Sequence, residues 1–294
     1  MIPPPAIRRI LVALDATLAG EAALEAAAAL ATDMEAELFG IFVENEDVLR
    51  FAALPFARET GVAATRRLDR ADIERLLKIG AARAEAALAR AAERQRVHWS
   101  FRIRRGRMLA ELLADADSAD LLAFAREGAC GHGLRAGASV EEALPGKAGA
   151  ALMLPARAKL GTPISVIFED TPAGIAALAL ATRLARGSLD GPLQVLVPVP
   201  PGSAAAWRRE AHARERIARL PIAVDMMRVP AAPLAALAAA VRAARPGTLV
   251  MGADPALAKA LKGLAAPLLV VRPGSVTPTS PSAEGTRRDD AAPI

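Results

Sequence analysis

Residues 10–17 read ILVALDAT, and residues 164–171, 154 positions later, read ISVIFEDT. Each is a run of five largely apolar residues that stops at an acid and, shortly after, a threonine. Such a run is the pattern of a strand buried on both faces of a parallel sheet. At the same offset Gly20 meets Gly174, Ala22-Ala23-Leu24 meets Ala176-Ala177-Leu178, and Leu30-Ala31 meets Leu184-Ala185. The match runs through a strand, its turn and an Ala/Leu helix, so one unit is written twice.

Outward from the first run, strands are expected at Leu38–Val43, Trp99–Ile103, Leu121–Phe124 and Ala151–Leu154. Helices are expected over 20–31, 71–95 and 108–116, with a short one near 139–144. In the long helix Ile73, Leu76, Leu77, Ala84, Leu88 and Ala91 share one side. The second unit repeats the order. Its strands are expected at Ile164–Phe168, Leu193–Val197, Ala223–Met227, Leu249–Met251 and Leu268–Val271, with helices at about 203–219 and 233–244. Strands alternating with helices imply βαβ crossovers and a parallel sheet covered on both faces. An excursion at 44–70 interrupts the first unit. A long loop in a compact domain suits a lid, and Phe51–Phe56 is the expected cover of a pocket or contact with the second unit.

Composition agrees with packed cores. Apolar residues are 53% of the 294, although 72 of them are alanines, which favour helix but bury little area. The net charge is +5, and all of it lies beyond residue 160, without a block of like charge that would make a nucleic-acid arm. Aromatic residues are 3% and Tyr is absent, which argues against base-stacking platforms. One cysteine, Cys130, excludes an internal disulfide framework and a Cys-rich zinc site. No apolar run reaches the ~18–20 residues of a membrane span, and no signal-peptide core follows Arg8-Arg9. A cytoplasmic protein, neither membrane-bound nor nucleic-acid-binding, is the expectation.

A strand ending in Asp-x-Thr, an Ala/Leu helix, and Ala-Asp-Leu-Leu before a glycine loop resemble the universal stress protein family over residues 7–155 and 163–272. The resemblance implies a five-stranded parallel sheet with flanking helices in each unit and, in many members, bound ATP. The family's nucleotide signature is Gly, two residues, Gly, nine residues, then Gly-Ser/Thr. Here Ala125, Gly128, Ala138 and Ser139 occupy that frame without a gap, so two of the three glycines are alanine. A glycine loop lets backbone N–H groups approach phosphate oxygens closely. A methyl at 125 or 138 opposes that approach at a cost of about 1–3 kcal/mol where the backbone is strained, and Glu127 adds negative charge. Gly131, Gly133 and Gly137 add freedom to the loop, and Arg126 and Arg135 add positive charge. By resemblance, Asp15 and Val43 lie beside the adenine and ribose. Asp15 and Thr17 also suit a helix cap. In the second unit Gly252 and Pro267 are 15 positions apart, against 26 between Ala125 and Ala151. Most of the phosphate loop is missing there, and no nucleotide is expected.

Other features read as ordinary structure. Cys130-Gly131-His132 is a loop, because adjacent residues cannot close a four-ligand metal site. His98 and His212 have no partner at ligand spacing. Asp115, Asp117 and Asp120 read as solvated turn acids. Arg102, Arg104, Arg105 and Arg107 read as a polar edge with packed stems. The Arg-rich helix Trp207–Arg219 is a covering helix with Trp207, Ile217 and Leu220 as its apolar contacts.

The expected architecture is therefore α/β: two tandem five-stranded parallel-sheet domains, 1–158 and 159–272, and a disordered tail at 273–294. By resemblance the domains form an intrachain pseudo-dimer through Ala151–Leu154 and Leu268–Val271, with a homodimer of whole chains left open. The function implied is stress-response regulation by binding, with no catalytic residue. The first domain would bind an adenine nucleotide weakly at Asp15, Thr17, Val43, Ala125, Gly128, Ala138 and Ser139, alongside an unidentified protein partner. The rivals are a nucleotide-independent interaction module with a vestigial pocket, and an ATP-hydrolysing enzyme, for which no P-loop lysine or acid–base pair is present.

Overall fold

The computed structural model describes residues 7–14, 18–45, 50, 58–60, 65–67, 70–106, 108–118, 120–125, 148–155, 158–187, 189, 191–200, 204–220 and 222–273. The first run is β1 (Arg9–Leu14), in which Ile10, Leu11 and Val12 have no exposed surface. It is followed by α1 (Leu18–Met34), β2 (Glu37–Asn45), a short antiparallel pair β3 (Arg58–Thr60) and β4 (Thr65–Arg67), and α2 (Arg70–Gln95). β5 (Trp99–Gly106), α3 (Met108–Asp115), β6 (Asp120–Ala125) and β7 (Ala150–Leu154) complete residues 9–154. The remainder comprises β8 (Ile164–Ile167), α4 (Pro172–Arg186), β9 (Leu193–Val199), α5 (Ala204–Ile217), β10 (Val224–Pro230), α6 (Leu234–Ala243), β11 (Thr248–Gly252), α7 (Pro255–Ala260) and β12 (Leu268–Val271).

Ten strands form one sheet in the order β10-β9-β8-β11-β12-β7-β6-β1-β2-β5. Its neighbours are parallel except at the centre, where β12 meets β7 antiparallel with Leu268 opposite Met153 and Val271 opposite Ala150. Within residues 9–154 the order outward from the centre is fifth, fourth, first, second and third large strand, and residues 164–271 repeat it.

Alternation along each strand sends side chains to two cores that each run the length of the sheet. On one face Ile10, Val12 and Leu14 pack with residues of α1, α2, α4 and α5; on the other Leu11 and Ala13 pack with residues of α3, α6 and α7. The small side chains of α1 bring it close to the strands: Ala23, Ala27, Ala28 and Ala31 have no exposed surface. A bond between two helices of the same layer reinforces the centre. Arg183 of α4 donates from Nε and a terminal nitrogen to the Asp33 carbonyl of α1, at 3.1 and 2.8 Å. That carbonyl is among those a helix C-terminus leaves without an internal partner.

Three expectations need correction. Leu76 does not join the buried side of α2: it is 55% exposed, whereas Ala81 and Ala92 are buried with Ile73, Ala84, Leu88 and Ala91. A 26-residue helix against two strands has a narrow contact stripe, and Leu76 falls off it. Trp207 is also no core contact, being 71% exposed under the Arg228 guanidinium, while Ile217 and Leu220 do pack inward. α7 has no counterpart in the sequence reading, because at six residues it is too short for a period to show. It starts where the Asp254 carboxylate accepts from Ala256 and Leu257 N–H. The short helix near 139–144 and the tail at 274–294 lie outside the described residues.

Leu152 and Leu269 face each other across the central joint with no exposed surface. Replacing either by Ala should cost about 2–4 kcal/mol. Urea unfolding should lose that stability in one transition spanning both halves, because each core crosses the joint.

Candidate functional site

β1 lies between β2 and β6, so the chain leaves it to one side and returns on the other. Such a reversal opens a crevice at the carboxyl ends of the strands, where open α/β sheets bind ligands. Val43 of β2 stands one residue beyond the last β1–β2 pair, Leu14 with Phe42. Ala125 ends β6 opposite Leu154. These two positions flank the end of β1 from either side. The Val43 side chain is buried in the core with Leu11 and Leu112. Asp15, Thr17, Gly128, Ala138 and Ser139 lie outside the described residues. So do Phe51 and Phe56, Arg107, Arg126, Glu127, Cys130, His132 and Arg135.

The equivalent edge of the second half is described apart from residues 201–203, which follow β9. Phe168, Glu169, Asp170 and Thr171, which follow β8, line a cleft of about 180 Å³ with Val197 and Pro198 of β9. At the offset of 154, Glu169 stands for Asp15, Thr171 for Thr17 and Val197 for Val43. Thr171 caps α4 by accepting from the Gly174 N–H at 3.1 Å. A Cβ on Gly174 would lie 2.1 Å from the Glu169 carbonyl oxygen, so the corner tolerates only glycine. Gly252, at the end of β11, is closed in from the other side: a Cβ there would meet that of Ala173 at 2.9 Å. Asp170 is engaged by His212 Nδ1 at 3.1 Å and Arg216 Nε at 3.4 Å, both from α5. His212 therefore has a carboxylate partner that sequence spacing concealed. The cleft has an apolar wall and an acidic rim, and it is smaller than the ~300 Å³ at which small-molecule pockets usually begin.

The antiparallel centre has a geometric consequence. Every strand of the first half runs with β7 and every strand of the second with β12, so their carboxyl ends lie at opposite edges of the sheet. The two crevices cannot share one ligand.

The charged clusters are committed to structure. Asp120, read as a solvated acid, is 3% exposed. Arg9 donates to both of its oxygens at 3.1 and 2.7 Å, and the Asp117 N–H adds a third bond at 2.7 Å. Burial without such partners is costly for a carboxylate, so Arg9 and Asp120, at the first positions of adjacent strands, hold each other. Their edge is the amino one, away from the crevice. Asp115 takes Arg104 in a fork at 2.8 and 3.0 Å, with Arg102 at 3.5 Å. Arg105 is bound to Glu44 at 2.8 Å. Arg9 and Arg102 each stand over the Phe39 ring, at 5.2 and 5.3 Å. Glu210 receives Arg214 and Arg228 at 2.8 and 2.6 Å, and these hydrogen bonds hold its carboxyl below the usual range. Among the described residues no three His, Cys, Asp or Glu side chains are placed to hold a metal, and no helix is long and apolar enough to cross a membrane.

No protein-family profile and no curated protein matches the sequence. Solved structures do. A universal stress protein from Archaeoglobus fulgidus DSM 4304 superposes with a TM-score of 0.63 at 14% identity, covering 90% of this chain and 96% of its own. A putative universal stress protein from Pseudomonas aeruginosa UCBPP-PA14 gives 0.57 at 16% identity, covering 92% and 94%. At such identities the likeness is one of fold, and it extends over nearly the whole chain.

Hydrogen bonds from Arg104, and then its positive charge, hold Asp115 below the usual carboxylate value. A carboxyl with a depressed folded pKa contributes stability above its unfolded value, about 4, and loses it as pH falls through the folded value. Replacing Arg104 by Gln should therefore move the midpoint of acid unfolding upward, towards pH 4, as circular dichroism would record.

Proposed function

We propose that the chain is a universal stress protein-like regulator of the stress response that works by binding, without catalysis, in the cytoplasm. Its halves are tandem copies of one five-strand unit joined as an intrachain pseudo-dimer. The first copy takes an adenine nucleotide weakly at Asp15, Thr17, Val43, Ala125, Gly128, Ala138 and Ser139, and the second acts as scaffold. The observation that carries this reading is the repeated strand order about the antiparallel pair β7–β12. That symmetry brings the positions equivalent to Asp15, Thr17 and Val43 together in the cleft of the second half.

Charge and room support giving the nucleotide to the first copy. In the second, Glu169 and Asp170 oppose a phosphate, the Gly174 N–H is taken by Thr171, and Gly252 packs against Ala173. In the first, 24 residues separate β6 from β7, with length to surround a phosphate chain. The alanines at 125 and 138 favour a second reading, an interaction module whose pocket is vestigial.

Calorimetry of the full chain with ATP and with AMP, in Mg²⁺, separates the two. The nucleotide reading expects saturable heat at submillimolar ligand, weakened about tenfold or more in Asp15→Ala. Restoring Ala125 and Ala138 to Gly should raise the affinity of a vestigial pocket, whereas a pocket adapted to alanine should lose or change its ligand. An absence of heat at millimolar nucleotide would establish the interaction module instead.

A further inference from the structure

The sheet has two open edges, β5 and β10, and they differ in how they are protected. In the β2–β5 ladder the Leu38 N–H donates to the His98 carbonyl, and Leu38 stands opposite Trp99. Alternation then turns the N–H and C=O groups of Trp99, Phe101 and Ile103 away from β2. Among the described residues these outward groups have no partner. At β10 the outward residues are Val224, Met226, Arg228 and Pro230, by the same reasoning from the Leu193 bond to the Ala223 carbonyl. Pro230 lacks a donor, and Arg228 carries a charge bound to Glu210 and stacked 5.7 Å from the Trp207 ring. Prolines and charges are the usual guards of a sheet edge. β5 has no proline at its outward positions and one charge, Arg105 at its far end, bound to Glu44, so Trp99, Phe101 and Ile103 carry no guard.

Apolar surface collects at the same end. Four of the seven large exposed hydrophobic residues among those described are Leu76, Ile79, Trp99 and Ile103. A Cβ on Gly80 would touch the Phe42 ring at 3.2 Å, and Phe42 is paired with Ile103. The early turns of α2, with Leu76 and Ile79, thus flank the outer half of β5.

We infer that a second copy of this chain docks antiparallel on β5, with Phe101 opposite Phe101 and Trp99 opposite Ile103. The side chains select both occupant and register. Trp99, Phe101 and Ile103 share the α2 side, and Arg102 and Arg104 point to Asp115 on the other. Centring a twofold pair on residue 102 opposes Arg102 to Arg102, and centring it on 103 opposes Arg102 to Arg104 twice. Like charges directly opposite destabilise a strand pair. Centred on Phe101, Arg102 meets Ser100 and Arg104 meets His98, while Trp99 and Ile103 form two aromatic–β-branched pairs. The same register joins the outward main-chain groups of residues 99, 101 and 103 in hydrogen-bonded pairs and brings the two α2 flanks onto one side.

Light scattering and sedimentation of the full chain test this. The expected mass is twice 30.5 kDa at tens of micromolar. Ile103→Lys removes both Trp99–Ile103 pairs and puts a charge at an outward position of the strand edge, and should weaken the dimer by about tenfold or more. Met227→Lys, at the other edge, should leave it unchanged; circular dichroism checks that both variants fold. With Cys130→Ser, the pair Ser100→Cys and Arg102→Cys should form disulfides between copies, because opposed Cα atoms in such a pair are about 4.5 Å apart. A monomer would leave the edge to an extended strand of a different protein and overturn the proposal. A dimer indifferent to Ile103→Lys, one lost in Met227→Lys, or no disulfide would overturn it as well.

Discussion

β7 and β12 are buried along their whole lengths, five residues and four. In a half standing alone each would be the last strand of an open sheet, with one row of N–H and C=O groups unpaired and apolar side chains uncovered. Buried main-chain groups need partners, and an apolar edge invites pairing with another chain. The antiparallel ladder between them removes both edges at once. It is extended by the Arg272 N–H to the Gly149 carbonyl and braced by Arg183 on the end of α1. The continuity of the cores on both faces follows from this contact.

Because the joint is antiparallel, it also points the two crevices in opposite directions, and the halves have been elaborated unequally. Residues 126–149 lie between β6 and β7, whereas β11 reaches β12 through α7 and two short turns. The tight approach of Gly252 to Ala173 is possible because no loop has to pass there. What remains is a small cleft in which Asp170 is turned toward α5.

The strands were legible because they are buried on both faces and therefore written as unbroken apolar runs: Ile10–Leu14, Leu121–Phe124 and Leu249–Met251 all lie within strands of the sheet. The partners of charged residues were not legible. Asp120 looks like any acid in a turn until β6 is laid beside β1 and Arg9 is seen across from it, 111 positions away. His212 and Asp170 are likewise 42 positions apart and meet only through the packing of α5 beside β8 and β9. Of the candidate site, Val43 and Ala125 lie beside the end of β1, and the cleft residues Glu169, Thr171 and Val197 are present in the repeat offset, where the truncated loop gives no sign of a cleft.

The sequence by itself determined the alternation of strands and helices, the repeat at 154 and the apolar faces, because these depend on local periodicity and on burial that each residue type expresses alone. Tertiary structure decided which strands are neighbours, that the two last strands run antiparallel, which carboxylates are neutralised, and that β5 stands at an end of the sheet. Those outcomes depend on pairs of residues far apart in the chain, whose energies exist only once the sheet order has brought them within hydrogen-bond distance.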